Sequence, residues 1–148
     1  MRRNLPLLLI RIVVGVVFLT EGILKFTLPE EFGAGRFAHI GLPVPYVLGP
    51  FVGGVEMAAG SALILSLYAG EAAVLLLCVI VTALVTTKIP ILLGHALGRF
   101  GVPKSTAHVG VMGFLHEARL DLAMLFSLIA ILLDSGMRLG KSGKGFRR

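Results

Sequence analysis

The sequence predicts an all-α protein, a transmembrane four-helix bundle with its N- and C-termini cytoplasmic, and three observations predict it. Of the 148 residues, 56% are hydrophobic and only 15% are charged. A soluble domain runs nearer a quarter charged, because it must cover its surface with water-compatible groups. The apolar residues gather in four runs, each close to the ~20 residues that cross a hydrocarbon core of about 30 Å. The basic residues gather at the two chain ends, Arg2 and Arg3, then Arg138, Lys141, Lys144, Arg147 and Arg148, as expected of ends held on the cytoplasmic side.

The first run, 5–26, follows Arg2 and Arg3, the pattern of a secretory leader. Its apolar part is longer than a typical leader core, and Glu21, Lys25 and Pro29 stand where a small-residue cleavage site would lie, so it reads as a membrane helix. The connection 27–45 carries Phe32, Phe37 and Ile40 among Glu30, Glu31 and Arg36, which suits a short segment lying in the membrane interface. The second run, 46–67, and the third, 71–93, are separated by Ser66-Leu67-Tyr68-Ala69-Gly70. That stretch reads as a tight hairpin turn, with Gly70 as the helix stop. In the third run Pro90 lacks a backbone donor and crowds the preceding turn, so the helix is expected to bend or end there. The connection 94–111 is punctuated by glycine and has no period. The fourth run, 112–133, completes a membrane domain over 1–137, and 138–148 reads as a flexible basic cytoplasmic tail.

Net charge is +6, but no basic stripe with interleaved aromatics crosses a folded element, so nucleic acid is not an expected partner. The lone cysteine, Cys78, excludes an internal disulfide or dithiol cycle. His95, His108 and His116 match no zinc spacing, so no metal is expected. Phosphate-binding loops and nucleophile elbows are also missing from the sequence, so it holds no self-contained catalytic motif.

The chemistry-bearing residues lie inside the spans: Arg11, Glu21, Lys25, Glu56, Lys88, Glu117, Arg119 and Asp121. Each would cost about 2.5–3.5 kcal/mol if isolated at the bilayer centre, while an apolar residue returns only about 0.3–0.6 kcal/mol. They must therefore be paired or hydrated. Glu21 and Lys25 share a helix face, as do Glu117 and Asp121. Glu56 stands between Gly53 and Gly60, on the small-residue face that should meet another helix. All but Arg11 fall in the outer half, which predicts one polar cluster open to that side. Its role is either to pin helix register through buried ion pairs or to hold a polar ligand or proton path.

The same residues carry a family resemblance. The segments Gly15-Val-Val-Phe18-Leu-Thr-Glu21-Gly22-Ile-Leu-Lys25-Phe26 and Gly33-Ala-Gly-Arg-Phe-Ala-His-Ile-Gly41-Leu-Pro43-Val-Pro45 come first. Gly49-Pro-Phe-Val-Gly53-Gly-Val-Glu56, Thr86-Thr87-Lys88-Ile89-Pro90 and His116-Glu117-Ala-Arg119-Leu-Asp121 follow. In this order they resemble the DoxX family of small four-helix membrane proteins. The resemblance implies a multi-pass protein of a bacterial inner (cytoplasmic) membrane, associated with respiratory redox chemistry. Relatives include a subunit of thiosulfate:quinone oxidoreductase. It implies a ligand site at Glu21, Lys25, Glu56, Lys88, His116, Glu117, Arg119 and Asp121, with a quinone as the candidate ligand and partner subunits in a membrane complex. Cations would hold a reduced oxygen's charge, and Glu56 or Asp121 would exchange protons. Two other functions remain open: a non-catalytic anchor or assembly subunit, and a small transporter. The connection from Leu93 to His116 is longer than the resemblance implies, so 98–111 reads as an insertion suited to a partner surface.

Overall fold

The computed structural model describes residues 5–103 and 106–144, and the side chains of 5–103 and 106–136. Arg2, Arg3, Arg147 and Arg148, and the side chains of Arg138, Lys141 and Lys144, on which the expected orientation rests, lie outside what is described. The described chain is all-α, its one extended feature a single bridge between Leu97 and Phe100. In order, the elements are α1 (Leu5–Thr27), the short α2 (Pro29–Phe32) and α3 (Ala34–His39), α4 (Pro45–Ile64) and α5 (Ala69–Ala83). A π-helical turn (Leu84–Lys88), α6 (Ile89–Leu93) and α7 (Gly110–Lys144) complete the described residues.

Three of the described helical stretches are long and apolar enough to cross a membrane: Leu5–Thr27, Pro45–Ile64 and Ala69–Leu93. The outward faces of these helices are apolar too. Leu9, Val13, Val47, Phe51 and Leu75 are all exposed on the isolated chain, where a water-soluble protein would place charge. Such a continuous apolar surface belongs against lipid.

Glycine sets the closest contact. Gly15 and Gly22 on α1 face Gly60 and Gly53 on α4, in antiparallel register. A Cβ at Gly15 would lie 2.6 Å from the Gly60 carbonyl, and one at Gly22 would lie 2.7 Å from the Gly53 carbonyl. The backbones can approach this closely only because neither face carries a side chain there. α5 packs most extensively on α7, and α4 joins the two pairs through its contact with α5. The core between them is Val14, Leu63, Ala73, Leu76, Leu128 and Ile131, each at most 1% exposed.

Three local expectations are adjusted. The hairpin after α4 turns on Ser66 (φ 57°) and Tyr68 (φ 46°), while Gly70 lies inside α5 and packs on Ser135. Pro90 does not end its helix. The π turn precedes it, with the Ile89 N–H donating to the Leu84 carbonyl, and the helix runs on to Leu93. Gly94 (φ 73°) then closes it, in the left-handed conformation that favours glycine. α7 continues helically through 138–144, the first part of the segment expected as a flexible tail; 145–148 lie outside the described residues.

Candidate functional site

The π turn places the first part of the site. An inserted residue re-phases the side chains, a device frequent at functional sites, and Thr86, Thr87 and Lys88 are buried in succession. The Thr86 hydroxyl donates to the Thr82 carbonyl at 2.8 Å. Lys88 Nζ is thereby turned to α7, 3.3 Å from Asp121 and 3.8 Å from Glu117.

The second part comes from the α1–α4 seam. Glu56 projects from the glycine face of α4 towards α1, and its carboxylate lies 2.7 Å from Lys25 Nζ, with both side chains at most 8% exposed. Glu21, one turn back on α1, is 3.6 Å from the same ammonium and considerably more exposed. Each lysine is thus held between two carboxylates. A buried ammonium so neutralised avoids most of the cost of an isolated charge.

Both lysines line one cavity of about 530 Å³. Its polar wall is Glu21, Lys25, Glu56, Lys88, Glu117 and Asp121, with Thr86 and Thr87 beside them. The remaining lining is mostly apolar, including Phe18, Ile80 and Met124 from the spans. Phe32, Arg36, Phe37 and Ile40 from the first connection also line it. The connection read as lying in the membrane interface therefore turns residues inward over the cavity. That signal was present in the sequence as an amphipathic segment, but its inward direction was not.

Six of the eight residues marked from the sequence come together here. His116 and Arg119 are not among the lining residues. The Arg119 guanidinium donates to the His116 carbonyl at 2.5 Å, on an exposed part of α7. Arg119 is two residues from both Glu117 and Asp121, which places it on the opposite side of the helix from their shared face. Cys78 joins the lining from α5. At the other end of the molecule Arg11 meets Asp134 of α7 at 3.3 Å, a partner that sequence reasoning had not assigned to it. Among the described residues, no group of three or more His, Cys, Asp or Glu side chains is placed to hold a metal.

The family model described as DoxX matches residues 6–89, which include α1 from its second residue, α4, α5, Glu21, Lys25, Glu56 and Lys88. The chain belongs to the DoxX family. A relative from Mycobacterium tuberculosis, described as an uncharacterized membrane protein, is 42% identical over 123 residues, covering 83% of this chain and 71% of that protein. No solved structure matches. As a DoxX protein the chain is an integral membrane protein, and its exposed apolar faces lie against the bilayer. The DoxX match ends one residue after Lys88, so both carboxylate partners of that lysine lie on a helix outside the matched segment.

Proposed function

We propose that this DoxX protein is a small subunit of a respiratory-type oxidoreductase in the bacterial cytoplasmic membrane, and that its cavity binds a quinone head group. The observation that carries this reading is the cavity itself: two buried ammonium groups, each beside two carboxylates, with the rest of the lining largely apolar and aromatic-bearing, in a volume within the range of small-molecule sites. A quinone ring needs apolar walls and donors at its oxygens. Lys25 and Lys88 are donors with three N–H groups each and no acceptor capacity. The bound quinone would supply two-electron redox chemistry. Glu56 and Asp121, each already beside an ammonium, would hold or release the accompanying protons, and a partner subunit would deliver or remove the electrons.

In this reading α7 is the fourth crossing and both termini are cytoplasmic. The α7 stretch 122–133 is uncharged, packs along α5, and exposes Phe126, Ile129 and Leu133 outward. Lys88 offsets the charges of Glu117 and Asp121 at its start. The second connection, 94–109, supplies none of the cavity lining among the described residues. This favours a second reading, in which that connection docks a partner chain and the protein serves as an anchor or assembly subunit.

Purification in mild detergent, with mass spectrometry of bound small molecules and associated chains, tests the choice. A paired variant, Lys88→Met with Asp121→Asn, leaves no deeply buried unpaired charge at this position. Wild type is expected to carry an isoprenoid quinone, and the still-folded variant at most about a tenth as much, which corresponds to ~1.4 kcal/mol of lost binding. A partner chain retained equally by both proteins, with no bound quinone in either, would leave the anchor reading alone.

A further inference from the structure

The two lysines occupy corresponding places in two successive helix pairs. α1 and α4 form one pair, joined by the connection 28–44. The stretch Ala69–Leu93 and α7 form the other, joined by the connection 94–109. Within the first pair Gly15 faces Gly60 while Gly22 faces Gly53, so the helices run antiparallel. Within the second, Gly70 packs on Ser135 while Lys88 meets Asp121, so they run antiparallel as well. Arg11 and Asp134 meet across α1 and α7, which places the chain-end side of both pairs at the same end of the molecule. The pairs therefore run in the same sense, as parallel rather than inverted repeats.

The polar residues repeat with them. Lys25 is the twenty-first residue of Leu5–Thr27 and Lys88 the twentieth of Ala69–Leu93. Glu56 is the twelfth residue of α4 (Pro45–Ile64) and Asp121 the twelfth of α7 (Gly110–Lys144). In each pair the lysine of the first helix is bound by the carboxylate of the second, at 2.7 Å and 3.3 Å. Each lysine has one further carboxylate neighbour, Glu21 or Glu117. Those second neighbours stand at 3.6 and 3.8 Å, beyond hydrogen-bond distance, so each three-donor ammonium keeps N–H groups for a ligand. Both couples line the same cavity. The repeat departs from symmetry at the cavity cover, which comes from α2 and α3 of the first connection.

Resting on the quinone reading, we infer that the cavity is a two-ended site for a cyclic dione, whose two opposed carbonyl oxygens are each held by one lysine–carboxylate couple, Lys25–Glu56 at one end and Lys88–Asp121 at the other. Two like donors contributed by two like helix pairs match a ligand with two like acceptors. A site for a single-headed ligand would need only one of them.

Titration calorimetry in detergent micelles tests this with 2-methyl-1,4-naphthoquinone and its one-carbonyl analogue 2-methyl-1-tetralone. The proteins are wild type and two charge-balanced variants, Lys25→Met/Glu56→Gln and Lys88→Met/Asp121→Asn, each checked for monodisperse elution and helical content. The dione is expected to lose about tenfold in affinity in both variants, as for one charge-assisted hydrogen bond. The ketone should bind wild type about tenfold more weakly than the dione and respond to one variant alone. Loss of dione binding in only one variant would overturn the two-ended site and leave the quinone reading standing. Equal dione binding by all three proteins, or none by any, would overturn both.

Discussion

Replacing Lys25 by methionine alone is expected to destabilise the folded protein by about 3–5 kcal/mol, the usual cost of leaving a buried charge without its partner. Glu56 is 4% exposed at its side chain and lies 2.7 Å from the Lys25 ammonium. Glu21 is also within 4 Å of Lys25, so without the lysine two carboxylates would be left near each other. Adding Glu56→Leu to Lys25→Met should recover most of the loss, because an apolar pair of similar volume is often neutral or stabilising where an ion pair stood. The measurement is the denaturation midpoint in detergent, followed by helical circular dichroism. A single variant as stable as wild type would mean that Glu56 is not held by Lys25. Glu117 gives the contrast: it is 37% exposed and 3.8 Å from Lys88, so Glu117→Gln should change stability by no more than about 1 kcal/mol.

The combined variant Gly15→Ala/Gly60→Ala is expected to be the second large loss, at about 1–3 kcal/mol for each methyl group. A Cβ at Gly60 would meet the Gly15 carbonyl at 2.8 Å and the Leu19 amide nitrogen at 2.9 Å. Both obstacles are backbone, so no side-chain rotation can relieve them and α1 would have to move off α4. That separation would also draw Lys25 from Glu56. Gly54→Ala, where nothing stands within 4 Å, should instead be neutral or stabilising by up to about 1 kcal/mol, since alanine is the better helix former. Thermal midpoints of the two variants decide between a packed glycine seam and incidental glycine content; equal midpoints would remove the seam as the reason for the close approach.

Three of the four expected spans were legible because length and apolarity are local properties. The first apolar run, 5–26, forms Leu5–Thr27. The pairing of Glu56 across the glycine face was legible for a similar reason, since Gly53, Glu56 and Gly60 share a helix face at fixed spacing. The π turn was not, because one extra residue before Pro90 leaves no compositional trace. The meeting of Arg11 with Asp134 was hidden by their 123-residue separation, which no helical period reports. Arg119 illustrates a different limit: it belonged to the right segment, but its offset of two residues from Glu117 and Asp121 already excluded it from their face.

The buried layer of Val14, Leu63, Leu76, Leu128 and Ile131 separates the Arg11–Asp134 pair from the cavity with no ionisable side chain of its own. Such a layer is an electrical insulator: it offers protons no hydrogen-bonded relay from one end of the bundle to the other. Any proton taken up or released at Glu56 or Asp121 would exchange with the face on which the two long connections lie. In the quinone reading, proton uptake and release would then share one face of the membrane, and the electrical balance of turnover would be set by the side on which the partner subunit exchanges electrons.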